Sequence, residues 1–185
     1  DTNNEDNEDG MSGNLSSFAV DAAGNLYVSD YNNIYVLDAE GNVQFKLDGS
    51  QYNGSLCRLN AQQVGVMWYN YTDDVNAADE NGQYFVPIDL ETKDWGEKVK
   101  LPSNVGSILP GDDAYDFYYT YNNNIYGYAA KTDTKEKLVD WLACDVDTNN
   151  MSGYAMLSDS RVAALMQDWS TDPTTYPVSY THLRA

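Results

Sequence analysis

The 185-residue chain holds one histidine, two cysteines, and only 10 lysines and arginines against 29 aspartates and glutamates. Each shortage closes a class of function. A net charge of −19 repels phosphate backbones and anionic headgroups, which removes nucleic acids and membrane surfaces as partners. No apolar run approaches the roughly 18 residues of a spanning helix, and no basic segment followed by an apolar one opens the chain. His182 lies outside the repeating part described below and no nucleophile elbow is present, so a Ser–His–acid triad has no members. Cys57 and Cys144 have neither a CxxC partner nor a neighbouring histidine, which leaves metal and redox chemistry without a motif. They could pair if their Cα atoms come within about 7 Å; two buried free thiols are the alternative.

What the chain does have is 16 tyrosines, 13 glycines, abundant asparagine at turn positions and 42 % hydrophobic residues. That is enough apolar material for a packed core, and the joint enrichment of β-formers and turn-formers suits an all-β protein of short strands. Residues 1–11, rich in Asp, Glu and Asn, read as a disordered acidic linker.

An apolar residue, a polar turn and a strongly apolar strand recur along the chain. The copies begin at Val20, Leu59, Leu109 and Leu157, spaced 39, 50 and 48 residues apart. That spacing matches the blades of a β-propeller, about 40 to 50 residues each. Further strands follow each copy: Ile34–Leu37 and Val43–Leu47; Tyr84–Ile88 and Lys98–Leu101; Ile125–Tyr128 and Lys137–Val139. Leu56–Leu59 and Val105–Leu109 supply an innermost strand for the second and third copies. The expectation is an all-β fold of propeller-like four-stranded units near residues 12–48, 54–101 and 104–141, with a partial fourth at 151–169. Met11-Ser12-Gly13 and Met151-Ser152-Gly153 precede the first and fourth copies alike. Residues 170–185 fit no unit and are expected to be an irregular, non-native tail on a fragment. Lys135–Leu142 could form a short helix, but its place suits an outer strand ending near Trp141.

Few segments offer chemistry. Asp145-Val146-Asp147-Thr148-Asn149 begins like a calcium loop, but Asn150 stands where Gly is needed and Met156 where a bidentate Glu should close the shell. The acids at Asp73-Asp74, Asp79-Glu80, Asp112-Asp113 and Asp116 lie in turn-like sequence. Glycoside hydrolysis needs two carboxyls with separated pKa values in a desolvated pocket, so a solvated role is expected. No metal or cofactor site is expected, and the chain reads as non-enzymatic. The sequons at Asn14, Asn53, Asn70 and Asn150 are no more than chance provides in so Asn-rich a chain. The aromatics either fill the space between sheets or line a sugar-binding surface, since aromatic rings stack on sugars while Asn and Asp bond the hydroxyls. Trp68, Tyr69, Tyr71, Tyr119 and Tyr121 are the candidates for such a surface. Tyr118 and Tyr119 point to opposite faces, so one of them is expected to be free.

Several phrases then carry a resemblance: Leu56-Cys57-Arg58-Leu59, Ile88–Gly96, Tyr115-Asp116-Phe117-Tyr118-Tyr119, and Leu138–Trp141 followed by Cys144–Asp147. Over about residues 12–169 the chain resembles the propeller-like N-terminal region of large extracellular solute-binding lipoproteins of Gram-positive gut bacteria. The resemblance implies an extracellular recognition or scaffold module of a lipid-anchored protein that captures a solute, usually carbohydrate, for an ABC importer. Its partner would be carbohydrate or the solute-binding domain of the same protein. Neither the lipobox cysteine nor that domain is in this sequence, so no ligand residue carries over. A free-standing cell-surface propeller that binds glycans or proteins, and a fragment of a propeller glycosidase, are the other readings.

Overall fold

The computed structural model describes residues 15–30, 32–122 and 124–139, and the backbone of 151–156, 161–166 and 178–182. The chain divides into two compact units, Asp1–Ile108 and Leu109–Ala185. The regular secondary structure of its described residues is antiparallel β-strand, apart from three short 3-10 turns.

In the first unit, β1 (Ser17–Val20), β2 (Leu26–Ser29), β3 (Asn33–Leu37) and β4 (Val43–Asp48) form a four-stranded sheet in chain order. Up-and-down order follows from the short connections, which allow only hairpin neighbours. Two of those connections are the same turn. Asp21-Ala22-Ala23-Gly24-Asn25 joins β1 to β2, and Asp38-Ala39-Glu40-Gly41-Asn42 joins β3 to β4. In each, the aspartate carboxylate accepts the N–H groups two and four residues on, at 2.8–3.1 Å. Gly24 and Gly41 sit at φ 90° and 88°, a conformation that costs a side chain energy.

The second sheet contains β5 (Ser55–Arg58), β6 (Val64–Asn70), β7 (Gly82–Asp89), β8 (Asp94–Trp95) and β9 (Val99–Lys100). The last two both pair with β7, so together they are one interrupted outer strand. The pairing gains a residue between Ile88↔Trp95 and Phe85↔Val99, the signature of a bulge. The Gly96 N–H still donates to the Pro87 carbonyl at 2.8 Å. Beyond β9, the Gln83 side-chain amide exchanges two hydrogen bonds with the Val105 backbone, at 2.7 and 2.8 Å. That reciprocal pair fastens residues 102–105 beside β7, where Leu101 and Val105 are buried.

The two sheets pack face to face. Tyr27, Ile34, Val36 and Leu47 from the first meet Leu56, Val64, Val66, Val86 and Ile88 from the second. Each fully buried Val, Leu or Ile contributes about 1.5–3 kcal/mol, so this seam is the main source of stability in the unit. Polar contacts fix its register: Leu56 N–H donates to Ser17 Oγ and Ala22 N–H to the Ala61 carbonyl, each at 3.1 Å.

In the second unit, β10 (Ile108–Pro110), β11 (Phe117–Tyr121), β12 (Asn124–Ala129) and β13 (Thr134–Val139) form another four-stranded sheet in chain order. β13 takes the outer place expected of residues 135–141, as a strand and not a helix. A three-stranded sheet follows: β14 (Met151–Met156), β15 (Arg161–Met166) and β16 (Val178–His182). β16 corrects one expectation. Residues 170–185 read as an irregular tail in the sequence, yet Val178–His182 pairs with β15 from Arg161↔His182 to Leu165↔Val178. The segment is built of β-formers, and β15 without it would present an unpaired edge. Among the described residues the last sheet thus has three strands, between Met151 and His182.

Four expectations lie outside the described residues: the acidic linker, the calcium-like Asp145–Asn149 segment, Cys144 and the Trp141 boundary. Cys57 is a free thiol.

Candidate functional site

Trp68 lies on β6, opposite Tyr84 of β7. On the face it shares with Tyr84, the ring meets Tyr52 edge-on at 5.1 Å and Tyr84 at 6.0 Å, while Tyr52 in turn meets Trp95 at 4.9 Å. Lys98 Nζ stands 5.5 Å from the Trp68 ring and 5.6 Å from the Tyr84 ring. This aromatic cluster packs against the core between the two sheets. Trp68 is therefore half-buried and structural on that side, with a cation over its ring.

Strand alternation sends Tyr69 to the opposite face. Tyr69 is 60 % exposed and Tyr71, one residue beyond the end of β6, is 69 % exposed. Two residues apart along the extended chain, they fall on the same side of it. The Tyr71 hydroxyl donates to Asp73 Oδ1 at 2.6 Å, and that bond chiefly raises its pKa. It stays a protonated donor.

The insert after Tyr71 is held at many points. Asn81 spans it: its Oδ1 accepts the Thr72 N–H at 2.7 Å and its Nδ2 donates to the Thr72 carbonyl at 3.1 Å. Asn70 Nδ2 and the Tyr84 hydroxyl both donate to the Glu80 carbonyl at 2.9 Å. Lys100 Nζ donates to the Asp79 carbonyl at 2.6 Å. Asp74 caps a turn by accepting the Asn76 N–H at 2.9 Å. These bonds pre-order the loop that flanks the two exposed tyrosines.

The other two candidates lie in the second unit. Tyr119 is 4 % exposed; it stacks on Tyr126 at 5.3 Å with Phe117 at 6.1 Å, and burial raises its pKa. It offers no face to a ligand. Tyr118 is buried too, its hydroxyl donating to Asp112 Oδ2 at 2.6 Å and its ring edge-on to Tyr115. Neither of these two tyrosines is free, because both faces of β11 are covered. Tyr121, two residues from Tyr119, is 38 % exposed and its ring lies 6.1 Å from that of Tyr126. Of the five candidates, Tyr69 and Tyr71 are the two most exposed; the residues that order the adjoining insert are not among the candidates. Asn81, Glu80 and Lys100 act through backbone atoms of the insert, a role residue type alone does not signal.

The acids sort themselves by the same geometry. Asp30, Asp48, Asp89 and Asp112 each accept backbone N–H groups at strand ends, as Asp21 and Asp38 do. Hydrogen bonds hold the carboxyls of Asp38, Asp48 and Asp89 below their ordinary pKa. Such carboxylates are committed turn caps and are poor proton donors near neutral pH. Among the described residues, no three His, Cys, Asp or Glu side chains converge as a metal would need.

No protein-family model and no curated protein matches the chain. Among solved structures, the extracellular domain of a putative one component system from B. thetaiotaomicron aligns at 13 % identity and a TM-score of 0.47, over 91 % of this chain and 24 % of its own. The fission yeast SREBP–SCAP binding domains align at 13 % identity and a TM-score of 0.42, over 93 % and 49 %. This chain spans about a quarter and about half of those chains, and likeness at this level says nothing of function. No described helix is long and apolar enough to cross a membrane.

Proposed function

We propose that the chain is a non-enzymatic recognition module of the cell envelope that contacts carbohydrate through Tyr69 and Tyr71. It serves as the propeller-like part of a lipid-anchored solute-binding protein of an ABC-type uptake system. Its successive antiparallel sheets are of the kind that closes into a ring in a propeller, where each sheet covers its neighbour. The observation that carries the reading is the pair of exposed tyrosines beside an insert already ordered by its own hydrogen bonds. Flat rings with amphipathic character stack on the apolar face of a sugar at low entropic cost. The amides and carboxylates of the insert accept and donate to hydroxyls. The strongly negative charge fits a neutral glycan and disfavours an anionic one. Calorimetric titration of the 185-residue chain with neutral oligosaccharides tests this. Binding lost in the Tyr69→Ala/Tyr71→Ala double variant supports it; binding unchanged in that variant defeats it.

A further inference from the structure

A second feature of the first unit lies apart from the tyrosine pair. A cleft of about 310 Å³ opens between the first sheet and the start of the second. That is at the lower end of the roughly 300–1,000 Å³ of small-molecule sites. Among its lining residues Ser29, Asp30 and the apolar Ile34 are buried, Ser16, Asn53 and Ser55 stand exposed, and the half-buried Tyr52 ring lies beside them. The hydroxyls are arranged by the fold. Ser16 Oγ donates toward the Ser29 carbonyl and Oγ, each at 3.2 Å, and Ser29 Oγ donates to the Asp30 carbonyl at 2.9 Å. Asp30 Oδ1 accepts the N–H groups of Asn32 and Asn33 at 2.9 and 2.7 Å, which fixes the carboxylate in place. Tyr52 is held by T-shaped contacts with Trp68 and Trp95, at interplanar angles of 76° and 80°.

We infer that this cleft binds one neutral sugar residue. The inference extends the carbohydrate reading above to a second place on the molecule. Three observations select the ligand class. The lining carries a carboxylate and no cation, so an anion is repelled. Serine hydroxyls and the Asn53 amide both donate and accept, which matches a polyol. The Tyr52 ring and Ile34 add apolar surface beside the hydroxyls and the amide, the mixed character a pyranose presents.

The test uses amide chemical shifts of the 185-residue chain titrated with glucose, galactose, mannose, xylose and arabinose, each neutral. Single-residue recognition by so small a cleft is weak, in the millimolar range. At least one of these sugars should shift the amides of Gly49, Gly54 and Ser55 in a saturable way. Ser55→Trp, at an exposed position on the rim, should abolish those shifts while leaving the rest of the spectrum intact. Tyr69→Ala/Tyr71→Ala should leave them unchanged. Loss in Ser55→Trp with retention in the tyrosine variant supports the cleft even if the tyrosine platform fails. Loss in the tyrosine variant alone, or no saturable shift at the cleft with any sugar, overturns the inference. Larger shifts there with a simple alkylammonium ion than with any sugar also overturn it, since the carboxylate alone would then be the attraction.

Discussion

Replacing Asp21 by alanine is expected to destabilise the first unit by roughly 2–4 kcal/mol, because one side chain does two jobs. Its carboxylate accepts the backbone N–H groups of Ala23 and Asn25, each at 2.9 Å, and the Asn25 side chain at 2.7 Å. Losing a cap of this kind costs about 1 kcal/mol. Asp21 also accepts the hydroxyl of Tyr27 at 3.1 Å, and Tyr27 is 1 % exposed. Burial, with the Asp21 charge beside it, raises the Tyr27 pKa, so this hydroxyl is always a donor. Without Asp21 it is stranded in the core, a penalty of about 1–3 kcal/mol. Tyr27→Phe removes that stranded donor. In the Tyr27→Phe background, Asp21→Ala should therefore cost only the cap, and the double-mutant cycle should give a coupling of about 1–3 kcal/mol. Asp38 builds the same five-residue turn in the open, so Asp38→Ala should shift the midpoint clearly less. Urea unfolding followed by tyrosine and tryptophan fluorescence reads all four variants. Equal midpoint shifts for Asp21→Ala and Asp38→Ala, or strict additivity with Tyr27→Phe, would refute the reasoning.

Two further outcomes follow from the same contacts. The carboxyls of Asp21, Asp38, Asp48 and Asp89 lie below their ordinary value in the folded chain. At Asp21 burial pulls upward, but the bonds from Asn25, Tyr27 and Ala23 outweigh it. Depressed folded values give stability that is present above the unfolded pKa of about 3.9 and is lost as pH falls through the folded values. Thermal melts across pH should therefore drop on the acid side, and a melting temperature still climbing well below pH ~3 would contradict this. Burial pushes the Cys57 thiol up to about 12. In a Cys144→Ser background, alkylation at about pH 8 should run on the order of a thousandfold slower in the native chain than in urea; comparable rates would remove Cys57 from its sheltered place.

The repeat was legible because it rests on local patterns. Alternation of apolar residues marks strands, and Asp, Asn and Gly mark turns, so the first three sheets fall close to the expected spans. Two features escaped. The outer strand of the second sheet is split into β8 and β9 by a bulge at residues 96–98, and a bulge leaves the apolar pattern nearly unchanged. β16 escaped because Val178–His182 is separated from β15 by a long polar stretch, and its pairing is a matter of partner, not of composition. The aromatic residues show the limit most clearly. Period two states that Trp68 and Tyr69 face opposite ways, as do Tyr118 and Tyr119, but not which faces are covered. Tertiary packing decides that: Trp68 turns inward, Tyr69 outward, and Tyr118 and Tyr119 are both enclosed. The acids read as solvated turn residues, and most of them are. What composition does not reveal is that many are bonded caps, and that the Asp21 and Asp38 turns differ only in their surroundings.

The most direct test of the recognition reading is a glycan array probed with the 185-residue chain and with its Tyr69→Ala/Tyr71→Ala variant, both confirmed folded by circular dichroism. The reading predicts retention on a subset of neutral glycans, none on anionic ones, and loss of that retention in the variant. Retention on anionic glycans, or equal retention by both proteins, would contradict it.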